Sequence, residues 1–191
     1  MGQFTKNDRK RLFCGPSYLR FFMTAALVFL ITGCTSTGTI DSNKSDSYNG
    51  KVKRLFIVGK LGDTLSIGFG NEYASFSTTM TSTLIFCGTQ SQYFVQDPLS
   101  FDQIMNQNIR AFKPDSILYI RWDTYGGYGI GTYFLQLIDT TTMTPVWKAT
   151  INFQGKAGDA GVALAAIIIG RMKQDGLIDA SCAVPHPVEP N

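Results

Sequence analysis

An uncharged apolar run of twelve residues, Phe21 to Thr32, divides this chain into two unequal parts. The segment before it carries Lys6, Arg9, Lys10, Arg11 and Arg20 against a single acid, Asp8, and Gly33 and Cys34 follow it. A basic start, a short apolar stretch and small residues before a cut describe a secretory signal. An uncleaved membrane anchor is the competing reading, but a span needs about 20 apolar residues. A buried core helix would not be flanked so heavily by cations. If residues 1–33 are discarded, 158 of the 191 residues remain, enough for one ordinary domain. The discarded part also takes the basic character with it. Met1 to Arg20 carries +4 while the whole chain carries +3, so the remainder is at −1. The pI near 8.7 therefore implies no nucleic-acid partner.

Ile31-Thr32-Gly33-Cys34 resembles the lipobox of bacterial lipoproteins: a branched apolar residue, two small ones, then a cysteine. Thr32 is a mild departure, since alanine or serine is commoner there. The resemblance implies a diacylglyceryl group on the Cys34 thiol, removal of residues 1–33, and a membrane partner reached through that lipid. Cys34 is then the lipidation site and its covalent lipid the one attached group expected, with no cofactor. Thr35 in place of aspartate resembles the pattern of outer-membrane sorting. The expected organisation is a signal over 1–33, a lipid-anchored flexible tether over 34–50, a domain over 51–180 and a mobile proline-rich tail over 181–191. The tether is expected because TSTGTIDSNKSDSYNG has little to bury against the entropy of ordering it.

Within the domain, Lys51–Val58 alternates and then turns apolar and β-branched, predicting a first strand. Tyr73, Phe76, Met80, Leu84 and Cys87 recur at spacings of three and four, one face of a helix that Gly88 would stop. Ser91–Gln96 is a short strand. Ser100 with Gln103 is a capping box opening a helix whose apolar face is Ile104, Met105, Ile109 and Phe112. Ser116–Asp123, Thr132–Asp139 and Val146–Phe153 then alternate as three strands of an antiparallel meander with one wetter face. On the first, Leu118, Ile120 and Trp122 oppose Ile117, Tyr119 and Arg121. The stretch Ala160–Lys173 is a last helix, apolar almost all round and too short to span a bilayer. The fold class is thus α/β (α+β): a single small domain of order β-α-β-α-β-β-β-α, with a mixed sheet and helices packed on it.

FKPDSILYIRW, then YFLQLIDTTTMTPVWKA, then a closing helix resemble the amino-terminal domain of the Tol translocation protein and related lipoproteins. Those relatives include the curli-secretion lipoprotein and activators of penicillin-binding proteins. Pro114-Asp115 before a strand and Asp139 before a hairpin turn sit at matching places, across roughly residues 51 to 178. The resemblance implies a non-catalytic, periplasm-facing module that binds other envelope proteins.

Catalytic chemistry finds few parts. The single histidine, His186, lies among prolines, so neither a Ser-His-Asp triad nor a Cys-His pair is indicated, and without a CxxC a zinc site is not expected. Asp97, Asp115, Asp123 and Asp139 lie singly at turns and strand ends, where turn chemistry places them. A two-carboxylate hydrolase acting on the cell wall remains an alternative, because spatial pairs are invisible in sequence. A binder of small apolar ligands is another. Gly68-Phe69-Gly70 could hold an anion at a helix start. The segment Tyr125-Gly126-Gly127-Tyr128-Gly129-Ile130-Gly131 is either a hairpin connection needing positive φ or an exposed aromatic contact. Tyr125, Gly126, Gly127, Tyr128 and Tyr133 are its candidate partner residues. Cys87 and Cys182 are either a disulfide, as an oxidising compartment favours, or two separate buried thiols.

Overall fold

A computed structural model describes residues 36–60, 72–96, 102–125, 130–156 and 158–186. Six strands and three helices follow one another along these residues: β1 (Thr37–Lys44), β2 (Arg54–Lys60), α1 (Glu72–Phe86), β3 (Gln90–Val95), α2 (Asp102–Phe112), β4 (Ser116–Tyr125), β5 (Ile130–Asp139), β6 (Thr144–Gln154) and α3 (Ala160–Gln174). The strands form one sheet in the order β1-β6-β5-β4-β2-β3. Strand β2 runs parallel to both β3 and β4, and the remaining pairs are antiparallel. From β2 the chain moves outward to β3, then crosses back over β2 to β4. Right-handed crossovers in opposite directions put their helices on opposite faces. The packing agrees, with α1 on one face and α2 on the other.

The face under α1 and α3 holds the main core. Leu55, Ile57, Leu118, Ile120, Leu135, Leu137, Trp147 and Ile151 point into it, against Phe76, Met80 and Leu84 of α1 and Leu164, Ile168, Ile169 and Met172 of α3. The three-and-four spacing in α1 therefore marks its buried stripe. Beyond it, Gly88 adopts φ +79°, and the Thr89 and Gly88 amides donate to the Leu84 and Ile85 carbonyls. That is a Schellman ending, which glycine permits without a Cβ penalty. On the opposite face, Phe56, Val58 and Ile117 pack under Met105, Ile109 and Phe112 of α2. Ile104, expected on that apolar face, is instead exposed. Ser100, the expected capping residue, lies outside the described residues.

The expected tether is corrected over residues 37–44. Residues 37–44 form an edge strand paired residue for residue with β6, from Thr37 opposite Gln154 to Lys44 opposite Trp147. Thr37, Thr39, Asp41 and Asn43 stay exposed, and only Ile40 adds a large apolar side chain to the core. Backbone pairing rather than side-chain burial recruits this strand, and composition does not register that. The expected mobile tail is corrected as far as Val184. Cys182 is buried, Val184 packs on the core, and the Lys173 ammonium donates to the Cys182 carbonyl at 2.7 Å.

Helix α3 begins on a buried carboxylate. Glu72 accepts hydrogen bonds from the Gly158 amide and, at 2.8 Å, from the Gly161 amide. An acid there satisfies amides that the helix itself leaves open and complements its dipole. A Cβ on Gly161 would come within 2.2 Å of the Glu72 carbonyl oxygen and 2.8 Å of the Phe76 nitrogen. Both are backbone atoms, so a side chain here can be accommodated only if α1 and α3 separate. Gly161→Ala is expected to destabilise the fold by about 1–3 kcal/mol, the usual range for overpacking. Urea unfolding checks this, and an unchanged midpoint would show that the helices slide apart freely.

Candidate functional site

On the face that α2 only partly covers, β4, β5 and β6 continue outward under no described helix. Alternation sends Leu135, Leu137, Ala149 and Ile151 inward, so their neighbours must line the open side. Val58, Tyr119, Arg121, Phe134, Gln136, Lys148 and Thr150 border an open groove of about 540 Å³. The register sets them in two rows across the sheet: Tyr119, Gln136 and Lys148, then Arg121, Phe134 and Thr150. The Arg121 guanidinium lies 5.6 Å from the Phe134 ring centre and 3.9 Å from the Asp123 carboxylate. Burial, and secondarily the Asp102 charge, raises the Tyr119 phenol above its ordinary pKa, so it stays a protonated donor at neutral pH. Lys148 is exposed. The groove thus offers two cations, an amide, hydroxyls and aromatic area. That set can hold an anionic or hydroxyl-rich partner by hydrogen bonds and charge. Among the described residues no three of His, Cys, Asp and Glu gather as metal ligands.

The residues singled out in the sequence fall out differently. Cys34, Gly126, Gly127, Tyr128 and Gly68-Phe69-Gly70 lie outside the described residues, and of Tyr125 only the backbone, paired with Gly131, is described. Tyr133 is corrected from a partner contact to a core residue. It is 6% exposed, its ring packs edge-on to Phe153 at 6.3 Å, and burial pushes its phenol up to about 12. Alternation with Leu135 and Leu137 carries that signal in the sequence. Cys87 and Cys182 are joined by a disulfide with their Cα atoms 4.8 Å apart.

The two aspartates of the family-like pattern serve the backbone. The Asp115 carboxylate accepts from the Lys53 and Arg54 amides at 2.9 and 3.0 Å, fixing the start of β2 beside β4. Asp139 accepts from the Thr141 amide at 2.7 Å and shapes the β5–β6 turn. Arg54 completes this corner: it donates to the Phe112 and Lys113 carbonyls at the end of α2 and stacks over the Phe112 ring. Neither aspartate lines the groove. The residues that do line it are absent from the candidates drawn from the sequence, although Lys148, Thr150 and Asn152 mark the wetter face there.

The fold and groove together define a mixed α/β domain with one sheet, closed on one face by two helices and partly open on the other. No family model and no curated protein matches the chain. Among solved structures it is similar to a dodecamer of a leucine-to-methionine variant of PelC from Paraburkholderia phytofirmans, at 18% identity over 69% of this chain and 96% of that one, with a TM-score of 0.44. A second PelC dodecamer structure from that organism matches at 14% identity over 70% and 96%, TM-score 0.41. The lipoprotein GNA1162 from Neisseria meningitidis matches at 15% identity over 62% and 95%, TM-score 0.33. Likeness at this level assigns neither activity nor partner.

Proposed function

We propose that this chain is a lipid-anchored domain of the bacterial cell envelope that works as a non-catalytic docking module, facing the periplasm from the outer membrane. Its role is of the kind served by the Tol translocation domain and the related lipoproteins. The observation that carries the reading is the open groove on the outer face of β4, β5 and β6. It gathers Arg121, Lys148, Gln136 and Phe134, charge and hydrogen-bonding groups beside aromatic area, as a recognition surface does. The Ile31–Cys34 lipobox supports the anchor.

Two experiments test the two halves. Cys34→Ala is expected to abolish palmitate labelling and processing, and unchanged labelling would remove the anchor. Arg121→Glu with Lys148→Glu is expected to abolish the chain's crosslinks to envelope proteins. Both side chains are largely exposed, so stability should change by less than about 0.5 kcal/mol per site. A folded double variant that keeps every crosslink would move the docking surface elsewhere.

A further inference from the structure

We infer that the end of the meander carrying Ser36, Thr37, Ile130, Gln154 and Lys156 rests against the lipid surface and fixes the domain's orientation on it. The inference rests on the anchor at Cys34 proposed above. It starts from the correction to the tether: Cys34 stands only two residues before Ser36, and Ser36 is already tied down. Its hydroxyl accepts from the Lys156 amide at 2.7 Å and donates to the Asp159 carboxylate, whose other oxygen accepts from the Ser36 amide at 3.3 Å. Two residues of extended chain reach about 7 Å at most. The headgroup layer of one leaflet is itself about 5–7 Å deep. An acylated Cys34 therefore leaves the folded domain no room to stand off the bilayer.

The register says which surface is brought down. Thr37 pairs with Gln154, and Gln154 pairs with Ile130 on its other side. Two strand spacings, about 10 Å, separate the first residue of β1 from Ile130. Strand β2 makes its last pair with β4 at Lys60 and Arg121, whereas β4 runs on to Tyr125, about 13 Å beyond that pair. At the start of β5, Ile130 is 45% exposed, a large apolar side chain left partly in water. Lys156, two residues past Gln154 and bonded through its amide to Ser36, is exposed and can meet lipid phosphates. An exposed apolar residue and a cation at the end of the sheet where the attachment point enters suit an interfacial contact. The β5–β6 turn, about 30 Å along β5 from Ile130, is then held away from the membrane.

The full-length, processed protein in vesicles of phosphatidylethanolamine and phosphatidylglycerol tests this through nitroxide labels at Ile130→Cys, Gln154→Cys and Thr141→Cys. Collisions with oxygen are expected to outweigh those with a water-soluble nickel chelate at 130 and 154, and the reverse at 141. The site at 154 keeps the test intact should the change at 130 disturb folding. Water accessibility at 130 and 154 equal to that at 141, in acylated protein that floats with the vesicles, would overturn the orientation and leave the anchor standing. Labels shielded from both reagents would mean that a second copy covers this end, and would overturn it too. Processed protein that carries no acyl group and fails to float would remove the anchor and this inference together.

Discussion

Replacing Cys87 or Cys182 by serine is expected to lower the stability of the oxidised domain by about 2–5 kcal/mol, the usual cost of removing a native disulfide from a small secreted domain. The bridge closes a loop of 95 residues. Chain-entropy estimates for loops near that length reach about 4.7 kcal/mol. It pins the segment after α3 to the end of α1, since Cys87 follows the last turn of α1 and Cys182 lies after α3. Other ties on this segment include Val184 packing on the core, the Lys173 contact, and Cys182's own amide, which donates to the Asp179 carbonyl at 3.1 Å. Because the loop is lost whichever cysteine goes, each single variant and the double variant should lose nearly the same amount. Urea unfolding with and without reductant reads this directly. Reductant should lower the wild-type midpoint and leave the double variant unmoved. Rapid alkylation of both thiols in folded, unreduced protein isolated from the envelope would reject the bridge.

Legibility in the sequence follows the amount of side-chain burial. Strands β4, β5 and β6 announce themselves because each buries one face, so period two is written in Leu118, Ile120, Leu135, Leu137, Ala149 and Ile151. Helix α1 is legible despite its threonines because Phe76, Met80 and Leu84 all enter the core. Strand β1 buries little, and its identity comes from a ladder with residues more than a hundred positions away. No local pattern carries that. Tyr133 misleads because its proximity to the glycines competes with its alternation with Leu135, and the alternation wins. The groove escapes because its members come from three strands, and only the register sets Arg121 beside Phe134 and Gln136 beside Lys148. Cys87 and Cys182 can be paired by compartment, but their approach depends on where α3 returns the chain.

Trp147→Ala is expected to cost about 3–5 kcal/mol, the range for truncating a buried aromatic, with a further loss from the polar contact it abandons. The indole is 1% exposed and fills the core between β6 and the end of α3. Its Nε1–H donates to the Asp175 carboxylate at 2.6 Å. The same carboxylate accepts from the Ser42 hydroxyl and, at 3.1 Å, from Arg171, so one acid ties β1, β6 and α3 together. Burial alone would raise the Asp175 pKa. The hydrogen bonds from Ser42 and Trp147, with the Arg171 charge, outweigh it and hold the carboxyl below the usual carboxylate range. A depressed folded-state pKa means that this contribution to stability is present above the unfolded value of about 3.9 and is lost as pH falls through the folded one. Trp147→Phe separates packing from polarity, since it keeps most of the ring but has no N–H. It should cost less than Trp147→Ala and should flatten the acid limb of the stability profile. Combined with Asp175→Ala, which leaves no side-chain acceptor, it should destabilise by less than the sum of the two single changes, because both remove the same contact. Strict additivity in that cycle, measured by urea unfolding at neutral pH, would show that the indole acts through its volume alone.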